Sequence, residues 1–248
     1  MAPGGVGLLR DRLRRDGLAA AALRELEPVD ASAWRDWTTA ARADYLANLR
    51  HRRPSGKGVD LGETMAFLRK RLPKDAILAS GAGNFTTWAH RFYEFSRYGT
   101  QLAPQSGAMG YGVPAAIAAK ALHPDRLVIC IAGDGDFLMS GQELATAAQY
   151  DLPIVVLVVN NGMYGTIRMH QERLFPGRVV GTDLVNPDFV AYAEAFGAYA
   201  ELVEENDAVA GAFERAVESG RSAVLELRVD PEAISPRATI GELRESAR

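Results

Sequence analysis

Asp134 and Asn161 are the residues whose types and spacing suggest chemistry. The first sits in Gly133-Asp134-Gly135-Asp136 and the second in Asn160-Asn161-Gly162, 27 positions on. Asp134 offers a carboxylate and Asn161 a neutral amide oxygen. Both are hard donors suited to Mg²⁺, which takes an octahedron of oxygens and usually completes it with phosphate and water. Gly133 and Gly135 permit a tight turn and close backbone approach, so amides at a following helix start can point at an anion. The ligand this chemistry predicts is a magnesium diphosphate. No thiolate or histidine cluster accompanies these residues, which argues against zinc. Taken alone, a Gly-Asp-Gly after a strand is more often only a turn, so the flanking elements decide.

Those elements are two apolar, β-branched runs of strand length, residues 127–132 and 154–159. Neither alternates with polar residues, which predicts burial on both faces, as in a parallel sheet. Residues 137–150 between them place Leu138, Leu144, Ala145 and Ala148 on one helical face, completing a strand, helix, strand unit with a right-handed crossover. Asp134 and Asn161 then lie near each other beyond the C-terminal ends of parallel strands, where open α/β sheets bind ligands. The fold class expected is α/β, a doubly wound, mainly parallel sheet flanked by helices, with an N-terminal helical and linker segment.

Three ordered motifs sharpen this. GDGDF followed by NN resembles the diphosphate-binding signature of thiamine diphosphate enzymes. Within that superfamily SGAMGYGVPAAIAAK (106–120), QELATAAQYDLPIVVLVVNN (142–161) and MYGTIRMHQ (163–171) resemble the acetolactate synthase group. The likeness covers residues 59–236, as a C-terminal, diphosphate-binding cofactor domain. It implies that Asp134 and Asn161 bind Mg²⁺ through their side chains and Met163 through its carbonyl. It further implies that the Gly133 turn and backbone groups of Gly135 and Asp136 hold the diphosphate, with Asn84 in contact where many relatives have glutamine. Phe85 stands where a histidine often follows, which weakens one expected phosphate contact. Gly107 would accept a hydrogen bond from the cofactor's aminopyrimidine. Met109, by its register in SGAMGYG, would be the apolar wedge that bends the cofactor, although alone it reads as core. Tyr164, Gly165 and Thr166 would line the substrate side, with Tyr164 and His170 open to a packing or surface role. The activity implied is decarboxylation of a 2-oxo acid, followed by aldehyde release or ligation to a second carbonyl. The activating glutamate belongs to a separate pyrimidine-binding domain or subunit that no segment here resembles, so no catalytic side chain is assigned to this chain. That absence predicts that the isolated chain is incomplete, and a homo-oligomer is expected.

The rest of the chain supports that unit. Its 248 residues suffice for one α/β domain with an appendage. A net charge of −3 predicts neither nucleic-acid nor membrane-surface binding. The lone Cys130 falls within the first central strand, as an inert small hydrophobe, and without a disulfide framework the expected compartment is the cytoplasm. No run reaches the roughly 18 apolar residues of a membrane helix. Residues 1–58 read as two helices, 6–26 and 33–49, the second anchored by Trp34, Trp37, Tyr45 and Leu46, and then a basic, mobile linker from His51 to Gly58. Trp88, Phe92 and Phe95, at helical spacing, read as core. Glu143 reads as a structural hydrogen-bonding group. Residues 172–183 read as a mobile lid, Asn186 as the N-cap of a helix with Pro187 at its first position, and 237–248 as a charged, fraying tail. Ser80-Gly81-Ala82-Gly83-Asn84 invites a dinucleotide reading but lacks the third glycine and the acidic residue about 20 positions on. Two rivals stand beside the enzyme: a noncatalytic cofactor-binding or assembly module, and a nicotinamide oxidoreductase using Gly81 to Asn84.

Overall fold

The computed structural model describes residues 30–50, 53 and 55–247, and the chain divides into two compact units, Met1–Ala47 and Asn48–Arg248. The expected helix over 6–26 lies outside the described residues. In the first unit's described part, α1 (Ser32–Asn48) forms as the spacing predicts, but none of its residues is buried. Trp34, Trp37, Tyr45 and Leu46 are therefore exposed instead of anchoring it. A lone helix has no second face of its own to bury them against.

The second unit begins with α2 (Leu61–Arg71). Asp60 caps it by accepting from the Gly62 and Glu63 amides, and its inward residues are Leu61, Met65 and Leu68. There follow β1 (Ile77–Ser80), α3 (Thr86–Phe92), β2 (Gln101–Leu102), α4 (Gly112–Leu122) and β3 (Val128–Gly133). Next come α5 (Asp134–Phe137), a 3₁₀ turn (Gly141–Glu143), α6 (Leu144–Gln149), β4 (Val155–Asn160) and α7 (Gly165–Leu174). The chain ends with α8 (Phe189–Glu194), β5 (Tyr199–Val203), α9 (Asn206–Glu218), β6 (Ala223–Arg228) and α10 (Ile240–Ser246).

The six strands form one parallel sheet in the order β2-β1-β3-β4-β6-β5. Alternate residues of each central strand point to opposite faces, as the period of two requires. Ile129 and Ile131 join α2, α3 and α9 in one core. Val128, Cys130 and Ala132 join α4, α6 and α8 in the other. Helices on both faces make the sheet doubly wound, and β3 and β4 are buried at every position, as their unbroken apolar runs demand. Among the described residues no helix is long and apolar enough to cross a membrane.

Four local expectations are corrected. The helix expected over 137–150 is broken into α5, a 3₁₀ turn and α6, and the Phe137 ring packs where a side chain at Gly141 would sit, 2.8 Å from a Cβ there. The inward residues are Phe137, Leu144 and Ala147, so Leu144 faces inward as expected, while Leu138, Ala145 and Ala148 are exposed. The tail does not fray: Thr239 and Glu242 form a reciprocal capping box, and Ile240 and Leu243 are buried. Arg53 of the basic stretch does not simply face solvent, since it pairs with Glu242 and donates to the Arg237 carbonyl. Glu172, placed in the expected mobile lid, is fully buried and bound by Arg168, Arg244 and the Gly177 amide. Gln171 ties down the same loop by exchanging two hydrogen bonds with Val180.

Candidate functional site

The C-terminal ends of β3 and β4 are adjacent, with Gly133 paired to Val159. Beyond them lies a cleft open to solvent. Asn84, Met109, Gly133, Asp134, Gly135, Asp136, Asn161, Met163, Tyr164 and Gly165 all line it. Gly107 does not; it is exposed in a left-handed turn with φ +67° and nothing within 4 Å of its Cβ position.

Asp134 is the centre. It opens α5, so the first N–H groups of that turn lack partners within the helix. Its Oδ1 accepts from the Gly135 amide at 2.9 Å, and its Oδ2 from the Gly162 amide and Asn186 Nδ2, each at 2.8 Å. The Gly162 contact draws the Asn161 loop against the Asp134 loop, as the strand, helix, strand geometry requires. Burial pushes the Asp134 carboxyl above its usual range, and the three hydrogen bonds only partly offset this. No cation faces it among the described residues. A desolvated carboxylate held by dipoles alone favours the arrival of a positive charge. Asn161 Oδ1 accepts from the Met163 amide at 3.1 Å and keeps a lone pair. The Met163 segment is held by a bridge to Asp183, with Tyr164 donating to the Thr182 carbonyl at 2.8 Å and Leu184 donating to the Gly162 carbonyl at 2.8 Å. One carboxylate, one amide and one carbonyl is a hard, oxygen-only set that fits Mg²⁺. Among the described residues no group of three or more His, Cys, Asp or Glu side chains gathers to hold a metal.

Glycine is required where the loops close. A Cβ on Gly135 would lie 2.5 Å from the Tyr164 ring, and one on Gly133 would lie 2.9 Å from Phe85. The Phe85 ring therefore covers the turn on the side where a histidine would have offered a donor. Asp136 contributes more than backbone: its Oδ1 accepts from Gly110 at 2.8 Å and Ala82 at 3.1 Å, tying the 81–84 and 106–110 loops to α5. Burial pushes its carboxyl up as well. Two amides of the 81–84 loop are taken up, Ala82 by Asp136 and Gly81 by the Ile131 carbonyl. Asn84 lines the cleft, but Nδ2 donates to the Ile234 carbonyl at 3.0 Å and Oδ1 accepts from Thr166 at 2.9 Å. Glu143, as expected, makes a local hydrogen bond, to Thr146. Cys130 is wholly buried, and burial raises its thiol pKa.

Three participants escape local sequence reasoning. Asn186 does not cap α8; Asp188 does, accepting from Ala191 at 2.9 Å, and Asn186 turns back to Asp134 and Asn160. Asn160 donates to Glu226, whose carboxylate also receives Arg228. The signal for Glu226 is a lone charge inside the apolar run of β6. For Asn186 no local signal exists.

With the geometry in place, the chain can be set beside known proteins. The family described as thiamine pyrophosphate enzyme, C-terminal TPP binding domain, matches residues 81–227. The acetolactate synthase large subunit of Corynebacterium glutamicum is 37% identical over 85% of this chain and 36% of its own length. The acetolactate synthase isozyme 2 large subunit of Escherichia coli K12 is 29% identical over 82% of this chain and 37% of its own. Among solved structures, the thiamine diphosphate-dependent 4-hydroxybenzoylformate decarboxylase of Rhodococcus jostii RHA1 superposes with a TM-score of 0.68 at 31% identity, covering 73% of this chain and 34% of that one. The chain thus spans little more than a third of the length of these relatives.

Proposed function

The chain belongs to the thiamine pyrophosphate enzymes, as their C-terminal TPP binding domain, and on that premise we propose that it is the cofactor-binding part of a 2-oxo acid decarboxylase or carboligase of the acetolactate synthase kind. Asp134 and Asn161 would hold Mg²⁺ with the Met163 carbonyl, and the backbone of Gly133, Gly135 and Asp136 would hold the diphosphate. Thiamine diphosphate supplies, when bound, the carbon centre at which such a substrate loses CO₂ or joins a second carbonyl. The chain's residues bind and orient. Met109, at the cleft wall, is the apolar wedge; Gly107, in its exposed left-handed turn, offers its carbonyl to the aminopyrimidine; Tyr164, Gly165 and Thr166 face the substrate.

The observation that carries this reading is the buried Asp134, faced by no cation among the described residues and drawn against the Asn161 loop across one cleft. The chain's share of its relatives' length supports a further part of the proposal. A pyrimidine-binding domain or partner subunit completes the site, and the working enzyme is an oligomer in the cytoplasm. Calorimetry with thiamine diphosphate and Mg²⁺ on the partnered protein tests it, and the absence of saturable heat would reject it. The same partial coverage keeps one rival, a noncatalytic module. That module would keep its biological activity after Asp134→Ala, whereas the enzyme would lose it.

A further inference from the structure

Asp134 has two oxygens in unequal surroundings. Oδ2 has two donors, the Gly162 amide and Asn186 Nδ2, both at 2.8 Å, which occupy its two lone pairs. Oδ1 has one donor, Gly135, at 2.9 Å. Only Oδ1 keeps a lone pair for a cation.

The orientation of Asn186 is dictated from the far side. A carboxylate can only accept, so Asn160 must turn its NH₂ to Glu226, at 2.7 Å. Its oxygen then faces Asn186, which donates to it at 2.9 Å, and Asn186 has to present NH₂ to both neighbours. The cost is visible: Asn186 Oδ1 is buried and has no hydrogen-bond partner. An orphaned buried acceptor is a penalty the rest of the fold has to offset. A side chain that only capped α8 would incur no such penalty, since Asp188 already does that work.

We propose that Asn186 is a positioning residue for the metal site: by saturating Oδ2 of Asp134 it fixes the carboxylate plane and leaves Oδ1 as the one oxygen that binds the divalent cation. This rests on the magnesium reading of the site. The pattern is that of an outer partner orienting a ligand, whose loss commonly lowers metal affinity by about 10–100-fold.

The test uses the partnered protein, the full 248-residue chain with its completing domain or subunit, with thiamine diphosphate in excess and Mn²⁺ as a paramagnetic probe, free Mn²⁺ being counted by its resonance signal. Thermal unfolding accompanies each titration. Asn186→Ala is expected to raise the Mn²⁺ dissociation constant by about tenfold or more. Asn186→Leu, which keeps the volume and removes the donor, should do the same and carries the test if the alanine variant does not fold. Asp188→Ala serves as the control in the same segment. It should lower the melting temperature and leave the dissociation constant within about twofold. If Asn186→Ala or Asn186→Leu folds and binds Mn²⁺ as the wild type does, or if Asp188→Ala weakens binding equally, the positioning role is overturned and the magnesium reading survives. If the wild type itself shows no saturable Mn²⁺ binding, the magnesium reading falls and this proposal falls with it.

Discussion

Arg244→Leu should release the C-terminal helix without unfolding the domain. Glu172 is fully buried and takes four hydrogen bonds: Arg244 Nη2 at 2.7 Å, Arg244 Nε at 3.0 Å, Arg168 Nε at 3.0 Å and the Gly177 amide at 2.9 Å. Arg244 first, then Gly177 and Arg168, hold its carboxyl down to about 2, against burial. Relative to an ordinary glutamate that corresponds to roughly 3 kcal/mol. Arg244 supplies the largest part of that, Gly177 and Arg168 staying in place in the variant, and it is about a third exposed, so its own share after solvent screening is about 2 kcal/mol. Beyond that, α10 is held mainly by Ile240 and Leu243, worth about 1.5–3 kcal/mol each. Losing the ion pair therefore eases opening of α10 instead of abolishing it, and amide exchange over 240–246 should quicken by roughly 30-fold. The pH dependence has a definite sign. A carboxyl depressed in the folded state gives stability above its unfolded value and loses it as pH falls through the folded one. The melting-temperature gap between wild type and Arg244→Leu should thus hold from pH 7 to about 5 and close between about 4.5 and 2. Unchanged exchange over 240–246, or a gap that persists at pH 2, would refute the reasoning.

Four further outcomes follow, three of them from the site. Gly81→Ala would put a Cβ 1.9 Å from Asp136 Oδ2. The displaced carboxylate abandons the Ala82 and Gly110 amides, and thermal denaturation should register a loss of about 3 kcal/mol, roughly 6–12 °C. Asp134→Ala should abolish the rise in melting temperature that Mg²⁺ and thiamine diphosphate give the partnered wild type, about 2.7 kcal/mol at a hundredfold excess over the dissociation constant. Without ligand, burial raises the Asp134 carboxyl, so the wild type loses stability as pH rises through its ionisation. A titration of apo stability should show that slope in the wild type and not in Asp134→Ala. Cys130, buried with its thiol pKa raised, should ignore a thiol reagent in the native protein and react only under denaturant.

What the sequence made legible was whatever depends on local pattern. Two unbroken apolar runs announce β3 and β4, and the small polar residues at their ends mark the sheet edge, because burial on both faces leaves no other place for them. Helix α2 shows the same dependence on local pattern, since Asp60 caps it and Leu61, Met65 and Leu68 recur at helical spacing on its buried face. The misses share a different cause. Leu138 was expected inward because the face was set one position off; Phe137, Leu144 and Ala147, at i, i+7 and i+10, are the ones buried, and only packing against the sheet selects between the two faces. Glu172 and Arg244 are 72 positions apart, and neither hints at the other.

Asn186 is the sharpest of these cases, since local chemistry points to the wrong role. Asn-Pro-Asp-Phe offers two capping side chains, and the rule favouring Asn before a Pro at the first helical position selects the earlier. In the fold the later one is sufficient, because Asp188 reaches the Ala191 amide. That leaves Asn186 for a contact 52 positions away, with Asp134. Redundancy in the cap is what frees a side chain for the site. The same holds for the sheet: β6 is buried well enough by Ala223, Val224, Leu225 and Leu227 to carry Glu226, and Glu226 in turn orders the amides that face Asp134. Where a local signal is over-satisfied, the surplus polar residue is the one to look for across the fold.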